Sequence, residues 1–189
     1  MLARWLAPGR QEAWRLLAGL NLVLVIAISG LPFPLAARIT PALASAAARL
    51  ACVQRQGRIV RAAVTSEVYD APVPFMIYLP PCYDRMDDAL PVIYLLHGGA
   101  SDETQWPDLR VQAAADELIT QGTPPFVVVM PGGLYYPNVN YEAFMLGEVL
   151  PQVEHRFRVA ADGSGRAIGG ISLGGYWALR IAFHHPRDF

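Results

Sequence analysis

The chain has 189 residues, 53% of them hydrophobic and 16% charged, with a formal net charge of −1. That length holds one α/β domain, and so apolar a composition excludes a disordered chain. Beyond the N-terminus the arginines are spread without gathering on any one element, which excludes an electrostatic footprint for nucleic acid.

Arg4, Arg10 and Arg15 precede the uncharged apolar run from Leu16 to Ile28. Basic residues on the N-terminal side of such a run mark an export signal or a membrane anchor. Helix breakers at Gly30, Pro32 and Pro34 and the small-residue site Ala42-Leu43-Ala44 favour cleavage. The nearly unbroken uncharged stretch through Ala37 favours an uncleaved anchor, the reading preferred here. Residues 1–50 are accordingly a hydrophobic N-terminal helix with an alanine-rich linker, and residues 51–189 a domain outside the cytoplasm, membrane-anchored or secreted. Cys52 and Cys82 are the only cysteines. An even count in an exported chain predicts a Cys52–Cys82 disulfide, closing a loop of about 30 residues and contributing roughly 3 kcal/mol. Arg49 does not fit a lipidation box ahead of Cys52, and neither cysteine has a partner at metal-ligand spacing, so no metal site is expected.

Two extended runs follow. Ile59–Val64 and Val73–Leu79 read as antiparallel strands at a sheet edge. Pro91–Leu96 is apolar at nearly every position, as a strand covered on both faces is, and runs into His97-Gly98-Gly99-Ala100. Glycines at a strand's C-terminal end let backbone approach a ligand, and His97 and Gly98 are expected to support that loop. The stretch Ser101–Trp106 is a candidate lining of the pocket mouth, within which Asp102 and Glu103 read as solvated loop charges or helix caps. Val111–Thr120 reads as a helix presenting Ala113, Ala114 and Leu118 to the sheet, and Phe126–Met130 as another buried strand. The tyrosines and asparagines between Leu134 and Tyr141 suit either an acyl or sugar-like substrate or an ordinary packed loop. From Tyr141 to Phe157 one helical stripe appears, with Pro151 a break point and with Glu142, Glu148, Glu154 and His155 expected to face water or cap the helix.

The strongest chemical signal is Gly170-Ile171-Ser172-Leu173-Gly174, set between a strand-like run, Ala167–Ile171, and a helical run, Tyr176–Phe183. A serine on a tight strand-to-helix turn is lifted clear of the sheet, and the first amides of the helix are left unpaired beside it. Ser172 is thus a candidate nucleophile, with the Leu173 N–H a candidate oxyanion donor. No dinucleotide fingerprint or phosphate loop is present, so no cofactor is expected.

Taken together, Leu79-Pro80-Pro81-Cys82-Tyr83-Asp84, Val92 through Gly99, Met130-Pro131, Tyr141-Glu142, Gly170 through Tyr176 and His185-Pro186-Arg187-Asp188-Phe189 resemble the putative-esterase family of α/β-hydrolases. That family includes S-formylglutathione hydrolases, feruloyl and acetyl-xylan esterases, and mycolyltransferase antigens. The resemblance implies an α/β fold, mostly parallel with antiparallel first strands. It also implies a serine carboxylic-ester hydrolase acting through an acyl-enzyme on Ser172, with Leu173 and Gly99 or Ala100 supplying the oxyanion hole. The substrate implied is a small-molecule or polysaccharide-linked ester.

The family's acid and histidine follow the nucleophile helix, whereas only 17 residues follow Ser172 here. His184, His185 and Asp188 lie about three turns along the departing helix, out of reach of the hydroxyl. The expectation is therefore an N-terminal fragment of such a domain, inactive by itself for want of a triad. Acyl transfer by the same constellation and a non-catalytic, membrane-tethered α/β module are the alternatives; a serine peptidase of this fold is a weaker one.

Overall fold

In the computed structural model the described residues are 53–133 and 140–189. The hydrophobic N-terminal run, Cys52 and most of the tyrosine-rich loop lie outside them. Five strands form one sheet: β1 (Arg58–Val64), β2 (Val73–Leu79), β3 (Val92–Leu96), β4 (Val127–Pro131) and β5 (Arg166–Gly170). Their order is β1-β2-β4-β3-β5. β1 pairs antiparallel with β2, and β2 antiparallel with β4, while β3 runs parallel to both β4 and β5. This is the mostly parallel sheet with antiparallel first strands that the sequence implies.

The strands read as continuous apolar runs because both faces are covered. Val127 and Val129 belong to one cluster, with Tyr94, Phe144, Val153, Ala178 and Ile181. Val128 and Met130 belong to the other, with Tyr78 and Ala115. That alternation is the strand's two-residue period applied to a sheet between two helical layers. The first layer carries α3 (Tyr141–Phe144), α4 (Leu150–Arg156) and α5 (Leu173–His184); the second carries α2 (Val111–Thr120), preceded by the short α1 (Gln105–Asp108). Right-handed crossovers account for this. From β3 the chain crosses to one side to reach β4, and from β4 it returns past β3 to reach β5, so the two connecting helices fall on opposite faces.

Three expectations are corrected. In α2 the buried residue is Ala115, with Val111 and Ile119 packed beside it, while Ala113, Ala114 and Leu118 face outward. Val111, Ala115 and Ile119 recur every four residues, and the same side carries Gln112 and Asp116, which bond the Gly57 carbonyl and the Gly57 N–H. Those two backbone partners select the face. Second, the helix from Tyr141 is interrupted by a π-turn, Met145–Val149, in which the Leu150 N–H donates to the Met145 carbonyl. Pro151 has no N–H to offer, and the widened turn stands directly ahead of it. Third, Glu142, Glu148 and Glu154 do not simply face water. Glu148 accepts from the Glu67 and Val68 N–H groups and the Ser66 hydroxyl, and Glu154 pairs with the largely buried Arg166. Only His155 of that group is exposed.

Among the described residues no helix is long and apolar enough to cross a membrane. No cysteine among them is a free thiol; Cys82 sits in a left-handed turn entering the 3-10 turn Tyr83–Arg85.

Along α5, Ala178 and Ile181 enter the core, whereas Tyr176, Leu179 and Phe183 are exposed. Ile181 is 0% and Phe183 80% accessible, so truncations at the two positions separate. Ile181→Ala is expected to cost about 2–5 kcal/mol, and Phe183→Ala within roughly 0.5 kcal/mol. Urea unfolding monitored by far-UV circular dichroism checks both.

Candidate active site

β3 and β5 are neighbours in register, Leu96 opposite Gly170. The ladder extends one step further, with the Ile171 N–H donating to the Leu96 carbonyl at 3.2 Å. The loop after β3 and the turn after β5 therefore emerge side by side. Since β3 leads to a helix on one face and β5 to a helix on the other, a crevice opens between the strand ends. Open α/β sheets bind ligands at that place.

The turn after β5 is tight. Ser172 has φ 54° and ψ −116°, a left-handed backbone that side-chain-bearing residues rarely adopt. Such a conformation costs of order 1–3 kcal/mol and persists where its surroundings impose it. Here they do. A Cβ on Gly170 would overlap the Gly174 carbonyl, and a Cβ on Gly174 would overlap the Leu96 and His97 carbonyl oxygens. The two glycines flanking Ser172 are thus required for α5 to start so close to β3. Gly174 N–H donates to the Ile171 carbonyl and Tyr176 N–H to the Ser172 carbonyl. The Leu173 N–H has no partner among the described residues, and the Ser172 side chain, which is exposed, makes no hydrogen bond.

The loop after β3 faces this turn. A Cβ on Gly98 would stand 3.6 Å from the Ile171 carbonyl oxygen, and one on Gly99 3.3 Å from Leu173 Cδ2. His97 is fully buried and its Nδ1–H donates to the Gly98 carbonyl at 2.8 Å. Burial pushes its imidazole below the ordinary value, outweighing the Gly98 carbonyl and the charges of Asp102 and Glu103. Nδ1 of this buried ring is thus engaged with the adjacent backbone, and no hydrogen bond joins the ring to Ser172. Gly98 N–H donates to Gln105 Oε1, which leaves the N–H groups of Gly99 and Ala100 without partners among the described residues. Of the predicted site members, Gly99 therefore faces Leu173, next to Ser172, with Gly98 against Ile171 and Ala100 following in the same loop.

Two further side chains were not legible as part of this architecture. Glu103, expected in solvent, is 5% accessible and bonds Arg61 Nη2 at 2.6 Å; Asp102 is the exposed one, accepting from the Thr104 N–H and hydroxyl. Gln105 lies in the Ser101–Trp106 stretch expected at the pocket mouth, but no motif announces its bond to the Gly98 N–H.

The other end of α5 is tied down by Glu142 of α3. Its carboxylate accepts from Arg180 Nε at 3.0 Å, His184 Nδ1 at 3.2 Å and His185 Nε2 at 2.8 Å. With His97 buried and His155 exposed on α4, all four histidines of the sequence are placed, and none hydrogen-bonds Ser172. Among the described residues there is no group of histidine, cysteine and carboxylate side chains able to hold a metal ion.

A serine at a strained strand-to-helix turn, beside a glycine loop on a mixed sheet with helices on both faces, defines an α/β-hydrolase fold. The chain belongs to the Putative esterase family, whose model matches residues 66–189. It is 34% identical over 125 residues to an esterase of Mycobacterium tuberculosis, covering 60% of this chain and 26% of that protein. It is 33% identical over 132 residues to an endo-1,4-beta-xylanase/feruloyl esterase of Xylanibacter ruminicola, covering 60% of this chain and 18% of that one. Its structure matches that of a ferulic acid esterase with a TM-score of 0.67 and 28% identity, over 71% of this chain and 57% of the other. The chain thus spans about a quarter or less of the length of these curated relatives.

The Glu142 cluster sets a pH dependence. The hydrogen bond from His185 holds the Glu142 carboxyl below its ordinary value of 4.5, helped by His184 and Arg180 and opposed by burial. A carboxyl depressed in the folded state stabilises above its unfolded value, and that stabilisation is lost as pH falls through the lower, folded value. Glu142→Gln is therefore expected to lower Tm near neutrality and to narrow its gap to the wild type as pH drops below about 4.5. Thermal melts across acid pH check the convergence.

Proposed function

We propose that this chain carries the nucleophile and oxyanion half of a serine carboxylic-ester hydrolase that works through an acyl-enzyme. The observation that carries the reading is the strained Ser172 turn, held level with the His97-Gly98-Gly99 loop by the Leu96–Gly170 register. Ser172 Oγ attacks the ester carbonyl, and the oxygen that becomes negative is received by the N–H of Leu173 together with that of Gly99 or Ala100. Collapse of the tetrahedral intermediate expels the alcohol and leaves the acyl group on Ser172; water then releases the acid. The proton of Ser172 needs a base, and none of the four histidines hydrogen-bonds its hydroxyl. Likeness to feruloyl esterases supports aromatic acyl esters, free or polysaccharide-linked, as the first substrates to try.

The test is labelling of the full chain by a fluorophosphonate, with Ser172→Ala as control. The expected outcome is slow labelling that Ser172→Ala abolishes, because an oxyanion hole and binding without a triad retain about 10³–10⁴-fold over water. Equal labelling of both proteins sinks the reading. It would favour the second one, a non-catalytic α/β module, for which the absence of a hydrogen bond between Ser172 and any of the four histidines speaks.

The compartment belongs to the same proposal. A basic flank ahead of Leu16–Ile28 and an even count of two cysteines, Cys52 and Cys82, support a domain held or released outside the cytoplasm, with the two cysteines paired. Peptide mapping of non-reduced protein from an oxidising compartment should yield a Cys52–Cys82 linked peptide. Alkylation of both thiols without prior reduction is the contrary result.

A further inference from the structure

We infer that Gln105 is a positioning residue for the oxyanion site, selecting which amides of the glycine loop are left to face Ser172; the inference rests on the serine-hydrolase reading above. A glycine-rich loop has no side chains to hold its peptide planes, so its amides point wherever their hydrogen bonds send them. Gly98 is held at three points. Its N–H donates to Gln105 Oε1 at 2.7 Å, and its carbonyl accepts both from His97 Nδ1 at 2.8 Å and from the Ser101 N–H at 3.1 Å. With the Gly98 peptide fixed on either side, the next two N–H groups, those of Gly99 and Ala100, are the ones without partners among the described residues.

Gln105 is itself well placed for this. It is the first residue of α1, its own N–H donates to the Asp102 carbonyl at 3.1 Å, and the preceding Thr104 is held by the Asp102 carboxylate. The short helix thus presents the amide from a fixed base, half-buried against the loop. Gln105 holds the His97–Gly98 plane, while His97 and Ser101 hold the Gly98–Gly99 plane that carries the Gly99 N–H. Without the Gln105 acceptor the first plane is released, and its Gly98 N–H would compete for the same developing oxyanion. The ground-state fit of a substrate would change little, since neutral ester oxygen draws weakly on the hole, whereas stabilisation of the tetrahedral species would fall.

The experiment compares wild type, Gln105→Met, Gln105→Glu and Ser172→Ala in the full chain. Methionine keeps the bulk and removes the acceptor; glutamate keeps the acceptor. Two quantities are read: the fluorophosphonate inactivation constants, kinact and KI, and amide hydrogen exchange at Gly98 and Gly99 by NMR. The expected result is a kinact lower by roughly 10-fold in Gln105→Met, short of the 10²–10³-fold that follows outright removal of an oxyanion donor. KI and Tm should stay close to wild type, and Gly98 exchange should be at least several-fold faster. Gln105→Glu should restore slow Gly98 exchange and recover part of kinact. Unchanged kinact in Gln105→Met, or a parallel loss of Tm and KI, overturns the positioning role while leaving Ser172 as nucleophile. Labelling that persists in Ser172→Ala overturns the underlying reading, and the inference with it.

Discussion

The close approach of α5 to the end of β3 is the constraint on which the rest of the site depends. Gly174 has carbonyl oxygens of Leu96 and His97 where a side chain would begin, and Gly170 has the Gly174 carbonyl. Only glycine at both positions permits the contact, and the contact forces Ser172 into its left-handed backbone. The strain at Ser172 is thus a consequence of packing that the core enforces through Ala178 and Ile181 one and two turns further along. A turn with larger residues would relax, and the serine would lie back against the sheet with its hydroxyl and the Leu173 N–H no longer aimed into one crevice.

The charged residues of the domain do mechanical work around that contact. Glu154 holds Arg166 at the start of β5, Glu142 holds Arg180, His184 and His185 near the end of α5, and Glu148 holds the segment after β1. Glu142 and Glu148 bridge elements far apart in sequence and Glu154 joins consecutive ones, and each sits on the interrupted helix between Tyr141 and Arg156. A buried carboxylate left unpaired costs several kcal/mol, so these pairs specify how the helix lies against its neighbours more than they add net stability. The two histidines at the end of α5 belong to this scaffold, which is why their proximity in sequence to the nucleophile helix does not make them its base.

What the sequence made legible follows from local chemistry. The five strands, the span of α2 and the elbow were readable because apolar runs, glycine placement and strand-turn-helix order are encoded within a few residues of each position. The face of α2 was not, because Val111, Ala115 and Ile119 compete with Ala113, Ala114 and Leu118 on hydrophobicity alone. What decides between them is the backbone of Gly57, 59 residues away from Asp116. The partners of Glu103 and Gln105, in the stretch expected at the pocket mouth, were hidden for the same reason. A carboxylate and an amide in a polar loop look solvated until the fold brings Arg61 and Gly98 to them.

That distinction also orders the roles within the crevice. The groups proposed to meet the substrate, the Ser172 hydroxyl and the Leu173 N–H, are carried by a motif whose geometry is local and whose pattern is therefore visible. Of the groups around them, His97 stands in the motif and was expected at the loop, whereas Gln105 and Glu103 act through single hydrogen bonds, to Gly98 and to Arg61, that leave no spacing to recognise. An oxyanion hole built from backbone amides is particularly exposed to this, because an amide has no identity in the sequence and its direction is set wholly by what its neighbours bond. The Gly98 peptide, pinned by His97, Ser101 and Gln105, is where a positional requirement of the chemistry becomes a requirement on side chains that never touch the substrate.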